Sequence, residues 1–164
     1  MKIILTLLFN SILLLNVNAQ KMKEYKIEID INASKETVWK ALTGFENYPK
    51  WNSVLTMNNN DSLILGNKFD VTITQPNDKH SNFKATAISK KNFQSFSATQ
   101  EIIGKHFFQA THYFIIREID KEHITFIQKW ELKGIIASIL RKQIFEELEV
   151  FNTMNNELKQ LVEK

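Results

Sequence analysis

The chain has no cysteine, which excludes disulfide staples, thiolate metal sites, a cysteine nucleophile and a lipid-bearing cysteine behind a leader. Its four glycines stand far apart at positions 44, 66, 104 and 134, so no glycine-rich loop can cradle a phosphate. With two prolines, no low-complexity tract and no repeat, nothing reads as a linker or an array. Only Arg117 and Arg141 are arginines, they are not interleaved with aromatics as in a single-strand groove, and no nucleic-acid partner is expected. Charges of both signs are scattered, 21 Lys+Arg against 18 Asp+Glu, without a block of one sign, and the net charge of +3 serves solubility. There is no Gly-x-Ser-x-Gly elbow, so Ser34-Lys35-Glu36 is a helix cap and not a nucleophile.

What the chain does have is apolar side chain: 43% of its 164 residues are hydrophobic and 11% aromatic, enough for one sizeable core and one domain. The first residues form a leader pattern, with Lys2 followed by a mostly apolar run from Ile3 to Leu15 and small residues in Val17-Asn18-Ala19. A run of about 13 residues, broken by Asn10, falls short of the roughly 20 that span a bilayer, so the expectation is a removed signal peptide, 1–19, with no stable membrane span afterwards. The mature domain, 20–164, is expected to be exported, periplasmic or secreted.

Tyr25, Ile27, Ile29 and Ile31 alternate with polar residues as in a half-buried strand, and Ser34 then caps a helix that places Val38, Ala41 and Leu42 on one face. Gly44 ends it, and a second short helical turn from Phe45 to Trp51 is broken at Pro49. Six strands are expected at 54–57, 68–75, 81–89, 93–100, 107–118 and 124–132, separated by turn residues such as Asn58-Asn59-Asn60-Asp61, Pro76-Asn77-Asp78 and Lys90-Lys91-Asn92. Past Gly134 an apolar stripe of Leu140, Ile144, Leu148, Phe151, Met154, Leu158 and Leu161 predicts one long amphipathic helix. The order implies an α+β fold, a curved antiparallel sheet of about six to seven strands wrapped around that helix. Small inner-face residues, Ala85, Ala87, Ala98 and Ala110, leave room for an apolar cavity between the two.

The residues Ile31-Asn32-Ala33-Ser34, Val38-Trp39, Leu42 and Phe45-Glu46-Asn47-Tyr48-Pro49-Lys50-Trp51-Asn52 resemble the opening of the SRPBCC (START-like, helix-grip) superfamily, most of all its polyketide cyclase/dehydrase-like branch. Gly66 opening a strand, the strand from His112 to Ile116, and Gly134 before the last helix extend the resemblance over Met22 to Val162. It implies the helix-grip fold, and a function among ligand carriers, aromatic cyclases and chaperone cofactors that the fold does not choose between. Where relatives often carry His and Glu on the strand before the last helix, this chain has Gln128 and Trp130.

Strand parity and the helical stripe give the expected cavity lining as Phe69, Val71, Phe83, Phe96, Phe108, His112, Phe114, Phe126, Gln128, Trp130, Phe151 and Met154, and the resemblance adds Tyr48 and Trp51 near its mouth. His112 is the one candidate for acid/base work; it is also readable as an interior His with internal partners, and no carboxylate pairs with it. Gln128 or Trp130 should lie opposite it. His106 and His112, six apart on one expected strand and so separated by roughly 20 Å, cannot share a metal, and no ligand spacing predicts a metal or cofactor. The expectation is a small hydrophobic ligand, a lipid, quinone or aromatic metabolite, held in the cavity. The alternatives are a cyclase/dehydratase-like enzyme acting in the same cavity and a surface-binding interaction protein.

Overall fold

Alternation of apolar and charged residues makes Lys23–Ile31 a strand, β1, with Tyr25, Ile27 and Ile29 turned inward and Glu24, Lys26, Glu28 and Asp30 exposed. The computed structural model describes residues 23–57 and 63–164; the expected leader, the expected start of the mature chain and the whole turn Asn58-Asn59-Asn60-Asp61 lie outside them. At the end of β1 the Ser34 hydroxyl accepts from the Thr37 amide at 3.2 Å and starts α1 (Lys35–Thr43), which buries Val38, Trp39 and Leu42. A 3₁₀ helix, Phe45–Lys50, follows and is fastened back by the Tyr48 hydroxyl, which donates to the Leu42 carbonyl at 2.7 Å. Buried Asn52 then accepts from the amides of Val54 and Leu55 and turns the chain into β2 (Leu55–Met57).

The remaining strands are β3 (Lys68–Thr74), β4 (His80–Lys91), β5 (Ser95–Ile102), β6 (Phe108–Glu118) and β7 (Ile124–Lys133). All seven form one antiparallel sheet in the order β1-β7-β6-β5-β4-β3-β2, so the meander is sequential except that β1 pairs with β7. β4 carries a register shift between Ala87 and Ser89. The expected strands are all present, with two differences. β5 starts at Ser95 and not at Phe93, because Phe93 takes a left-handed φ of 62° in the turn closed by the Gln94 amide on the Lys91 carbonyl. His106 is not on the strand of His112: Ile103 and Gly104 both have positive φ, and the Phe107 and Phe108 amides both reach the Gly104 carbonyl, so a turn occupies the residues before β6.

The expected single helix after Gly134 is three: α2 (Ile135–Ile139), α3 (Arg141–Leu148) and α4 (Phe151–Val162). At the second joint the ladder tightens, with Glu149, Asn152 and Thr153 amides bonding three residues back, and the Asn152 side chain also donates to the Glu149 backbone carbonyl. Tyr25 of β1 holds that corner, its ring tilted against Phe145 at 5.1 Å and its hydroxyl donating to the Glu149 carboxylate at 2.5 Å. Beyond it α4 buries Phe151, Met154, Asn155 and Leu158, and is tied to β1 by Lys159 Nζ on the Asp30 carbonyl and by the Asn32 amide on Glu163. At the start of this segment Gly134 (φ 103°) has no alternative: a Cβ there would stand 2.3 Å from the Phe107 carbonyl oxygen. Ile135 and Ile136 amides bond the His106 and Phe107 carbonyls, which locks α2 onto the β5–β6 turn.

Only half of the sheet's inner face is packed solid. There Ile31, Val38, Trp39, Leu42, Phe96, Phe114, Ile116, Ile124 and Phe126 fill the space under α1 and α4, with Phe96 and Phe114 stacked at 4.4 Å. Among the described residues no helix is long and apolar enough to cross a membrane.

Candidate functional site: a half-empty sheet face under a bent helix

In the other half, toward the β5–β6 turn and α2, the same period-two alternation leaves a cavity of about 230 Å³. Phe69, Val71 and Ile73 of β3 form one wall, and Ser81, Phe83 and Ala85 of β4 continue it. Ala98 and Gln100 of β5, then Phe108, Ala110, His112 and Phe114 of β6, make the floor, and Trp130 and Leu132 of β7 the opposite wall. Leu55 and Met57 of β2 and Gln75 border it, while Ile144, Glu147, Leu148 and Phe151 close it from α3 and α4. Two features create the space. Alanines 85, 98 and 110 put only a methyl each on this face, Ala85 opposite Phe69, Ala98 between Ala87 and His112, and Ala110 between Gln100 and Leu132, and the C-terminal helix bends at Glu149–Val150 between α3 and α4. An apolar hollow of this kind has no dispersion partners of its own, so an apolar guest gains contacts that the empty protein lacks.

His112 is the polar group at the back of the cavity. Its ring stacks on Trp130, its partner across the β6–β7 ladder, with centroids 4.1 Å apart, and touches Phe114 at 4.0 Å and the edge of Phe151 at 5.3 Å. The imidazole Nε2 donates to Gln128 Oε1 at 2.8 Å, and Gln128 Nε2 donates on to Asn155 Oδ1 of α4 at 2.7 Å. Gln128 and Asn155 are both fully enclosed, 0% and 2% exposed, so the ring is held by a chain of amides without any carboxylate. This oxygen and nitrogen assignment makes His112, a lining residue of the cavity, the Nε2–H tautomer and leaves its Nδ1 an acceptor with no hydrogen-bond partner among the described residues. Enclosure by aromatic rings lowers the imidazole to about 3, against which the Gln128 contact pulls only weakly. His112 is therefore neutral at any physiological pH, a hydrogen-bond partner and not an acid.

Of the residues expected at the cavity from sequence, Phe69, Val71, Phe83, Phe108, His112, Phe114, Trp130 and Phe151 line it, and six lie elsewhere. Phe96 and Phe126 have the right parity but sit in the packed half, where Trp39 and Phe45 of the α1 region cover Phe96. Gln128 is behind His112, and Met154 is in the core beside it with no exposed surface. Tyr48 packs between Phe45 and Trp51 in and just after the 3₁₀ helix, and neither Tyr48 nor Trp51 is in the lining. Sequence reasoning passed over Gln75, Ser81, Gln100 and Glu147, the polar part of the border; the first three share parity with neighbours that were identified, so strand alternation alone could have found them. Glu147 also lies within 3.7 Å of Lys79. Among the described residues no group of three or more His, Asp or Glu side chains could hold a metal.

No family model and no curated protein matches the sequence. Solved structures do match over most of the chain. Norcoclaurine synthase of Thalictrum flavum, a point mutant in complex with a transition-state analogue, superposes with a TM-score of 0.65 at 15% identity, covering 86% of this chain and 94% of that one. The Zhui aromatase/cyclase of Streptomyces sp. R1128 gives 0.64 at 10% identity, over 87% and 94%. A START superfamily protein of Mycobacterium smegmatis gives 0.61 at 15% identity, over 84% and 98%. The curved antiparallel sheet with its bent C-terminal helix is the helix-grip fold that these structures share, and it is the fold expected from the opening residues.

Proposed function

We propose that this helix-grip chain holds a small hydrophobic molecule in the cavity, and that it does so as an exported protein. The observation that carries the reading is the hollow itself: mostly apolar walls around about 230 Å³, with the neutral, amide-anchored imidazole of His112 among the few polar groups that line it. Ligand pockets usually run from roughly 300 to 1,000 Å³, so the volume favours a one- or two-ring aromatic or quinone-like molecule over a two-chain lipid. A hydroxyl or N–H on the guest would pair with Nδ1 of His112, which otherwise has no partner among the described residues. Export rests on the leader pattern from Lys2 to Ala19.

A second reading, an enzyme of cyclase/dehydratase type acting in the same cavity, is favoured by the presence of an aromatase/cyclase and a synthase among the structural neighbours. It has less support here, because an imidazole lowered to about 3 is a weak base and no carboxylate touches it. Native mass spectrometry of the protein recovered from an exported fraction tests both. A co-purifying small molecule that extracts into organic solvent supports the holder, whereas a chemically altered product released from a supplied polyketide-like substrate, lost in His112→Gln, supports the enzyme. An apo mass that takes up nothing from a panel of aromatic and quinone ligands contradicts both.

A further inference from the structure

Apolar side chains are exposed on one edge of this molecule well beyond what isolated surface residues require. Ile103 and Phe107 of the β5–β6 turn are 76% and 48% exposed, and Ile135, Ile139 and Leu140 of the α2 segment are 57%, 75% and 43% exposed. The two segments form one edge, because the Ile135 and Ile136 amides bond the carbonyls of His106 and Phe107, and Gly134 packs against Phe107 with no room for a Cβ. Backbone strain is accepted to present them: Ile103, β-branched, is held at a φ of 57°.

Cations outnumber acids around this edge, whose nearest acidic side chains are Glu101, bonded to Gln109, Glu131 near Lys133, and Glu146 near Lys142. From Ile102 to Gln109 and from Leu132 to Phe145 there is no acidic residue, while Lys105, Lys133, Arg141 and Lys142 are all exposed. Only Lys142 has an acidic partner within 4 Å among the described residues, Glu146 at 3.9 Å. Bulky apolar residues ringed by lysine and arginine are the composition of a surface that rests in the headgroup region of a bilayer. A second copy of the chain fits it poorly, since an isologous pairing would set these four cations against four more.

The edge is also the right one for exchange with a lipid phase. The cavity lies in the half of the sheet next to it: β6 contributes its first residues, Phe108 and Ala110, β7 its last, Trp130 and Leu132, and α3, which follows Leu140 directly, supplies Ile144 and Leu148. We infer that this edge, the β5–β6 turn together with the α2 segment, docks on an anionic phospholipid membrane surface and turns the cavity end of the protein toward the lipid. The docking is peripheral, in keeping with the lack of any membrane-crossing helix among the described residues. It needs no ligand in the cavity, so it stands or falls separately from the holder function.

Co-sedimentation with vesicles tests it, comparing pure phosphatidylcholine with phosphatidylcholine containing about a third phosphatidylglycerol, at low and high salt. The expected result is binding to the anionic vesicles only, weakened by salt, and reduced at least tenfold in Ile103→Asp/Ile139→Asp. Both residues are solvent-exposed, so this variant should keep the wild-type circular dichroism, melting temperature and uptake of apolar ligands from solution. A Lys105→Glu/Arg141→Glu variant, which leaves the apolar residues in place, should lose the preference for anionic lipid. Equal binding of wild type and variants, or none by the wild type, would overturn the docking assignment. So would light scattering that finds a wild-type oligomer dissolved by Ile103→Asp/Ile139→Asp, because the edge would then be a contact between copies.

Discussion

Acidification from about pH 7 to about pH 5 should weaken the folded protein through His112 alone by about 2 kcal/mol. The imidazole is lowered from 6.5 to about 3 in the folded state by its enclosure among Trp130, Phe114 and Phe151. Below 6.5 the unfolded chain takes up a proton that the folded chain refuses, so the unfolded state binds more protons and stability falls as the pH falls, until the folded ring itself protonates near 3. At about pH 7 this linkage amounts to only a few tenths of a kcal/mol, at about pH 5 to about 2 kcal/mol, and over the whole window to about 4–5 kcal/mol. His80, His106 and His123 are exposed and do not share this enclosure. Urea denaturation at the two pH values, on wild type and on His112→Gln, isolates the effect, because glutamine keeps an amide beside Gln128 but cannot titrate. With a urea slope of roughly 1–3 kcal/mol/M, the wild-type midpoint should drop by about 1 M more than that of the variant. Equal drops, or a ring titration of His112 by NMR centred near 6.5, would refute the enclosure and with it the picture of the cavity's back wall.

Gly134→Ala should cost about 2–4 kcal/mol, since the added methyl meets the Phe107 carbonyl and the residue already needs a positive φ; thermal or urea unfolding reads it. Ser34→Ala removes the cap on the Thr37 amide and should cost about 1 kcal/mol by the same assay. Phe126→Ala, in the packed half and fully buried, should cost about 3–5 kcal/mol, and more than the same change at half-buried Phe83 on the cavity wall. Expression of the full chain in a bacterial host, followed by N-terminal sequencing of the exported protein, should find Gln20 first; a retained Met1 would contradict the leader.

The fold was legible because each level of the chain repeats the same instruction. Alternation in β1, the Ser34 cap, the turn at Gly44 and the turn residues between the strands are local signals, and tertiary packing respected them. The break in the helix after Gly134 has no local signal, because its apolar stripe continues past Glu149 and Val150 and no proline or glycine marks the corner. That corner is set by contacts distant in sequence, above all Tyr25 on Glu149 and Phe145. The cavity was half legible for a related reason. Parity tells which side of the sheet a residue faces, which placed Phe69, Val71, Phe83 and His112, but not how far along the sheet α1 and α4 cover it. Phe96 and Phe126 thus had the parity of cavity residues and belong to the packed core. The anchor of His112 was partly visible, since a short β6–β7 hairpin puts Trp130 opposite it and Gln128 two pairs along, on the same face, whereas Asn155, from the last helix, had no sequence signal at all.

The central claim is that the space beside Ala110 is an apolar binding site and not a gap to be closed. A titration with the small aromatic fluorophore N-phenyl-1-naphthylamine, on wild type and on Ala110→Phe, tests it most directly. A phenylalanine at this cavity-lining position occupies the hollow itself, so the account predicts that the variant stays folded, losing no more than about 1–3 kcal/mol. It also predicts saturable binding of one probe by the wild type and binding at least tenfold weaker by the variant. A folded variant that binds the probe as well as the wild type, or a wild type that does not bind it, would contradict the account.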